Sequence, residues 1–174
     1  MSVRIAFKQV FKGLFLLSSV GSAFAGTLPN GASSINESYQ NWHLICQNTK
    51  SGVKCNILQE ILEGQTHQLF FRIEFKPAES QTHGVMIAPF GLNLTDGITI
   101  ATEGESVGDV YPFNTCLPVG CLAPLDLDEG QFSSFLKSKK VKVSFTTLKG
   151  KLLKFQLPIS GLDEALNRAR VLTK

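Results

Sequence analysis

The four cysteines of this 174-residue chain fall into two close pairs, Cys46 with Cys55 and Cys116 with Cys121, and no other feature narrows the fold as much. An even number of cysteines in an oxidising compartment reads as a disulfide framework. Four cysteines allow three connectivities. Local pairing is the expectation here, because each pair closes a small loop without any long-range assumption. By the loop-entropy relation each such bridge adds about 2–3 kcal/mol. A zinc site fits less well, since eight and four residues separate the partners where zinc motifs commonly place two. There is no C-x-x-C redox motif either.

The compartment is read from the first 25 residues. Arg4, Lys8 and Lys12 open the chain, an apolar stretch runs over residues 13–20, and Ala23-Phe24-Ala25 supplies a small-x-small ending. This is the layout of a cleaved secretory signal, with cleavage expected before Gly26. A membrane anchor is the rival, but the apolar run is well short of the roughly 20 residues that span a bilayer. The earliest cysteine is Cys46, so the leader offers nothing to lipidate. The expected locale is the periplasm or the outer envelope, including the extracellular side. The leader holds three of the 17 basic residues and none of the 14 acidic ones, so the remainder carries 14 of each sign. A net-neutral domain has no long-range field to gather nucleic acid, and none is expected as a partner. Lys137, Lys139 and Lys140 read as a solvated face or turn.

About 150 residues remain, enough for one domain with a true hydrophobic core. Residues 26–38 are rich in Gly, Ser, Asn and Thr without an apolar period, and are expected to form a flexible arm. The domain is then 39–174. Around Lys50-Ser51-Gly52, the alternations Trp42/Leu44/Cys46 and Val53/Cys55/Ile57 predict a hairpin clipped by Cys46 and Cys55. Residues 67–76 place Leu69, Phe71, Ile73 and Phe75 on one face and Phe70, Arg72, Glu74 and Lys76 on the other, the mark of a half-buried strand. Asp96-Gly97, between Leu92/Leu94 and Ile98/Ile100, predicts a second hairpin. A third is expected across Lys149-Gly150, from Val141/Val143/Phe145 to Leu153/Phe155/Leu157. Helical spacing recurs over 129–136 and over 162–172, with Ser160 as the expected N-cap of the terminal helix. Seven to nine short strands and two short helices predict a mainly all-β protein, an antiparallel β-sandwich with a C-terminal helix. A membrane barrel would need longer strands with lipid-facing residues on each.

Chemistry is thinly marked. His43, His67 and His83 lack metal-ligand spacing, and no metal or cofactor is expected. There is no G-x-S-x-G elbow and no glycine loop for phosphate. Two carboxylate groups deserve comparison with paired-acid hydrolases: Glu103, Glu105 and Asp109 in a glycine-containing loop, and Asp126, Asp128 and Glu129 before the first helix. The second group is accounted for by the helix dipole, which favours negative charge at that end by about 0.3–1 kcal/mol per group. Asn36-Glu37-Ser38 and Asn93-Leu94-Thr95 match a glycosylation sequon too common to carry weight. A surface reading centres on residues 108–124, where Tyr111, Phe113, Leu117 and Val119 stand among prolines, glycines and the second cysteine pair. Aromatic groups on a clamped loop are good interface anchors. The other reading of the same residues is that they cap one end of the sandwich.

Four landmarks occur in order: Trp42-His43-Leu44-Ile45-Cys46; Pro89-Phe90-Gly91-Leu92-Asn93-Leu94-Thr95-Asp96-Gly97-Ile98; Pro112-Phe113-Asn114-Thr115-Cys116-Leu117-Pro118-Val119-Gly120-Cys121; and Ser160-Gly161-Leu162 with Ala165-Leu166. In their order and spacing the chain resembles the invasion-associated locus B family of Gram-negative bacteria, over about residues 39–172. The resemblance implies an exported β-sandwich with stabilising disulfides, linked in some pathogens to attachment to or entry into host cells. It supplies no catalytic residues. The loop over 103–109 and the lysine-rich hairpin are not features the resemblance leads one to expect. A non-enzymatic protein that binds an envelope or host protein is therefore the leading expectation. An envelope hydrolase with a site invisible in sequence is the alternative.

Overall fold

The computed structural model describes residues 27–77, 82–104 and 108–174. The expected leader over residues 1–25 lies outside them, as does Gly26. The strands are β1 (Ser34–Tyr39), β2 (Trp42–Thr49), β3 (Gly52–Leu62), β4 (Leu69–Lys76), β5 (Thr82–Ala88), β6 (Ile98–Ala101), β7 (Asp109–Tyr111), β8 (Thr115–Leu117), β9 (Gly120–Leu127), β10 (Lys140–Thr146) and β11 (Leu152–Pro158). The helices are α1 (Glu129–Lys137) and α2 (Leu162–Leu172). A seven-stranded sheet in the order β1-β2-β3-β4-β5-β9-β8 faces a four-stranded sheet in the order β11-β10-β6-β7, and all pairings are antiparallel. The mainly all-β sandwich with a C-terminal helix is thus observed.

Period-two patterning builds the core. Phe71, Ile73 and Phe75 of β4 are fully buried and meet Val141, Val143 and Phe145 of β10 in one cluster. The smaller sheet does not cover the whole larger one. Helix α2 packs over β1, β2 and β3 instead, burying Leu162, Ala165, Leu166, Ala169 and Leu172. Its Arg168 guanidinium donates to both carboxylate oxygens of Glu37 on β1. That hydrogen bonding holds the Glu37 carboxyl below its ordinary pKa, against the opposing effect of partial burial.

Both disulfides are the local ones and join directly opposed ladder residues, Cys46 with Cys55 in β2–β3 and Cys116 with Cys121 in β8–β9. The hairpin across Lys149-Gly150 forms as β10–β11. Helix α1 is capped by Asp128, which accepts from the Gln131 amide while the Gln131 side chain accepts from the Asp128 amide. The acidic residue before this helix is therefore structural.

Other expectations are corrected. The segment 26–38 is not a loose arm where it is described: Leu28 is buried, a short helical turn follows at Pro29–Gly31, and Ser34–Tyr39 pairs with β2. Ile35, Glu37 and Tyr39 share its half-buried face, where Ile35 and Tyr39 pack on the core and Glu37 pairs with Arg168, so even a polar strand is anchored at every second position. Asp96-Gly97 does not close a hairpin. Leu94–Asp96 forms a 3-10 turn, Leu92 bridges to Thr147, and β6 pairs with β10 and β7. Helix α2 is entered through Gly161 rather than a Ser160 cap. Gly161 has φ of 95°, and a Cβ there would run into the Tyr39 carbonyl, so close packing selected glycine over a capping side chain. There are eleven strands among the described residues rather than seven to nine, because short β1, β7 and β8 carry little periodic signal.

Candidate functional site

Register decides which loops share an end of the sandwich. Ala88 at the close of β5 lies opposite Cys121 near the start of β9, and Leu69 at the start of β4 lies opposite Leu62 at the close of β3. The β3–β4 loop, the segment 89–97 and the β8–β9 turn therefore leave the large sheet together. The β10–β11 turn joins them, since the Leu148 amide donates to the Gly91 carbonyl at 2.9 Å and the Asn93 amide donates to the Thr146 carbonyl at 2.8 Å.

This end is unusually apolar. Among the described residues nine large hydrophobic side chains are exposed, and seven of them are here: Leu62, Phe90, Leu94, Leu117, Val119, Leu148 and Leu152. Leu148 is 74% exposed and Phe90 61%. Scattered single hydrophobic groups on a surface are ordinary, whereas a concentration on one face marks a contact surface. The Cys116–Cys121 bridge clamps the turn that presents Leu117 and Val119.

The four residues singled out from sequence divide. Leu117 and Val119 project at this end and are exposed. Tyr111 and Phe113 are partly buried and pack against the core. Leu62, Phe90, Leu94, Leu148 and Leu152 escaped sequence reasoning because they lie at three separated connections, each with only one or two exposed apolar residues. The one local sign was a leucine on either side of Lys149-Gly150-Lys151.

Tyr111 instead lines a cleft of about 300 Å³ between β7 and α1, shared with Thr102, Asp109, Gln131 and Ser134. Burial, with Asp109 and Asp128 nearby, pushes the Tyr111 hydroxyl up to about 12. The Asp109 carboxylate accepts from the Gln131 side-chain amide at 3.2 Å. Of the other loop acids, Glu105 lies outside the described residues. Glu103 borders a shallow recess of about 180 Å³ with Lys140, Lys142 and Gln156. The histidines are dispersed. His43 Nδ1 is 3.1 Å from the Ser38 hydroxyl, His83 Nδ1 is 2.7 Å from Asp126 on an exposed face, and the His67 amide donates to Glu63 in a turn. Among the described residues no group of three His, Cys, Asp or Glu side chains is arranged to hold a metal ion. No described helix is long and apolar enough to cross a membrane.

Comparison with known proteins agrees with this architecture. The family model described as Invasion associated locus B (IalB) protein matches residues 42–170, beginning at Trp42. An invasion protein B homologue of Brucella abortus (strain 2308) is 37% identical over 160 residues, covering 91% of each chain. Invasion protein B of Bartonella bacilliformis is 27% identical over 151 residues, covering 85% of this chain and 81% of its own. The crystal structure of invasion associated protein b from Bartonella henselae superposes with a TM-score of 0.72 at 20% identity, over 80% of this chain and 97% of that one. With a family match over residues 42–170, a relative 37% identical across 91% of the chain and a shared fold, the chain belongs to the invasion-associated locus B family.

Proposed function

We propose that this chain is an exported envelope protein that acts by binding another protein, of the envelope or of a host cell, through the apolar loop end of its sandwich. The observation that carries this reading is the gathering of seven exposed hydrophobic side chains at one end, part of it disulfide-clamped. A clamped loop loses less conformational entropy on binding. The relatives bear the names invasion protein B and invasion protein B homologue, which is consistent with a contact made outside the cytoplasm.

A hydrolase would need a base and a nucleophile or second acid convergent in one cleft. The β7–α1 cleft offers one described carboxylate, and that group is engaged by Gln131. This favours binding over catalysis.

The test is crosslinking capture from membrane-free envelope and host-cell extracts, comparing the wild type with a Leu117→Ser/Val119→Ser variant. Both side chains are exposed, so the variant should fold normally. A partner captured by the wild type and lost by the variant is the expected result. A partner held equally by both would move the site elsewhere, and hydrolysis of an envelope substrate by both would overturn the reading.

A further inference from the structure

We propose that the β10–β11 hairpin is a docking surface for an anionic phospholipid bilayer. This goes beyond the protein-binding reading, sharing only Leu148 and Leu152 with it, and is carried by a different observation, the segregation of charge. Residues 130–162 contain seven lysines and no acidic residue, while the part of the chain after the leader carries 14 basic and 14 acidic residues. Half of its positive charge therefore sits on one hairpin and its flank. The ion pairs are elsewhere, at Arg72 with Glu60 and Glu74, His83 with Asp126, and Arg168 with Glu37. Among the described residues none of the seven lysines forms an ion pair, and the one carboxylate bordering their recess is Glu103 beside Lys140 and Lys142, away from the turn.

The register gives this charge a direction. Val141, Val143 and Leu157 are buried inward, so Lys140 and Lys142 of β10 and Lys154 of β11 stand on the outer face of the smaller sheet. Lys149 and Lys151 flank the turn, and Leu148 and Leu152 project there, 74% and 50% exposed. Two bare leucines ringed by lysines suit a bilayer better than a soluble polyanion. Lysines meet headgroup phosphates while the aliphatic groups enter the acyl boundary. A soluble polyanion would use the lysines and leave the leucines in water. The turn is also held in place by the Leu148–Gly91 hydrogen bond, so insertion needs little ordering.

The experiment is flotation of the oxidised, exported form of the chain with vesicles of equimolar phosphatidylglycerol and phosphatidylcholine, against vesicles of phosphatidylcholine alone. Binding to the anionic vesicles only, falling as salt rises, is expected. Replacing Lys149, Lys151 and Lys154 by Gln should lower partitioning by about a hundredfold. Leu148→Ser/Leu152→Ser should lower it by at least about tenfold, with unchanged thermal unfolding of both variants as the control. Equal binding to both vesicle types, no binding, or indifference to the lysine substitutions would overturn the proposal. Binding of heparin that ignores the leucine substitutions, without vesicle binding, would overturn it in favour of a soluble polyanion. The vesicles contain no protein and the capture extracts no membrane, so either reading can fail without the other.

Discussion

The Leu148 amide donates to the Gly91 carbonyl at 2.9 Å, joining the turn of the β10–β11 hairpin to the connection between the two sheets. That bond ties the turn carrying exposed Leu148 to the residue that follows exposed Phe90. The bond uses backbone atoms, so the Leu148 side chain is free for contact.

Leu148→Ser should therefore change stability by no more than about 0.5 kcal/mol, as for other exposed positions, while weakening whatever this end binds. Urea unfolding of the variant checks the first part. A larger loss would mean that the side chain supports the turn and is not simply presented by it.

The disulfides should separate stability from recognition. Removing Cys46–Cys55 by double alanine substitution should cost about 2–3 kcal/mol, and removing Cys116–Cys121 about 2 kcal/mol, both read from denaturant midpoints. Only the second lies in the hairpin presenting Leu117 and Val119. It alone should also weaken capture of a partner by the folded protein.

Phe70 should matter more than its place in the alternation suggests. The β3–β4 register shifts between Ile61 and Leu62, and Phe70 approaches Phe145 at 5.6 Å and Phe155 at 5.5 Å between ring centroids. Phe70→Ala should cost about 2–4 kcal/mol, in the range of a buried aromatic truncation. Leu62→Ala, at an exposed position beside the same irregularity, should cost far less.

Acid should loosen the seat of α2. Glu37 is held below its ordinary value of 4.5 by the Arg168 hydrogen bonds, so the folded state favours its charged form. The resulting stability is complete above the unfolded pKa and is lost as pH falls through the lower folded pKa. Glu37→Gln should be less stable than wild type at neutral pH, with the difference fading in strong acid. Thermal unfolding across that range measures it. Because the pair is partly exposed, the effect should be smaller than that of either disulfide.

Local pattern was legible where neighbours in sequence are also neighbours in space. The Cys46–Cys55 hairpin, β4, the β10–β11 hairpin and both helices all announce themselves within about a dozen residues. Asp96-Gly97 misled because its flanking strands find better partners at longer range: β6 pairs with β10 and β7. Ser34–Tyr39 was hidden by its polar composition, since an edge strand needs only alternate residues against the core. The four residues expected at an interface divide by exposure. Leu117 and Val119 lie beside their disulfide in sequence, whereas Tyr111 turns inward with β7 in the smaller sheet and Phe113, just beyond it, packs against the core.

By itself the sequence determined the period-two strands, the turn chemistry, the pairing of cysteines close enough to close only small loops, and a lysine run with no acid inside it. These depend on interactions within a few residues, which composition and spacing encode directly. Tertiary structure alone decided that turns near residues 62, 90, 118 and 148 meet at one end, and that the charged hairpin lies at its side. Strand order and sheet stacking set those positions through contacts far apart in the chain, and no local pattern records them.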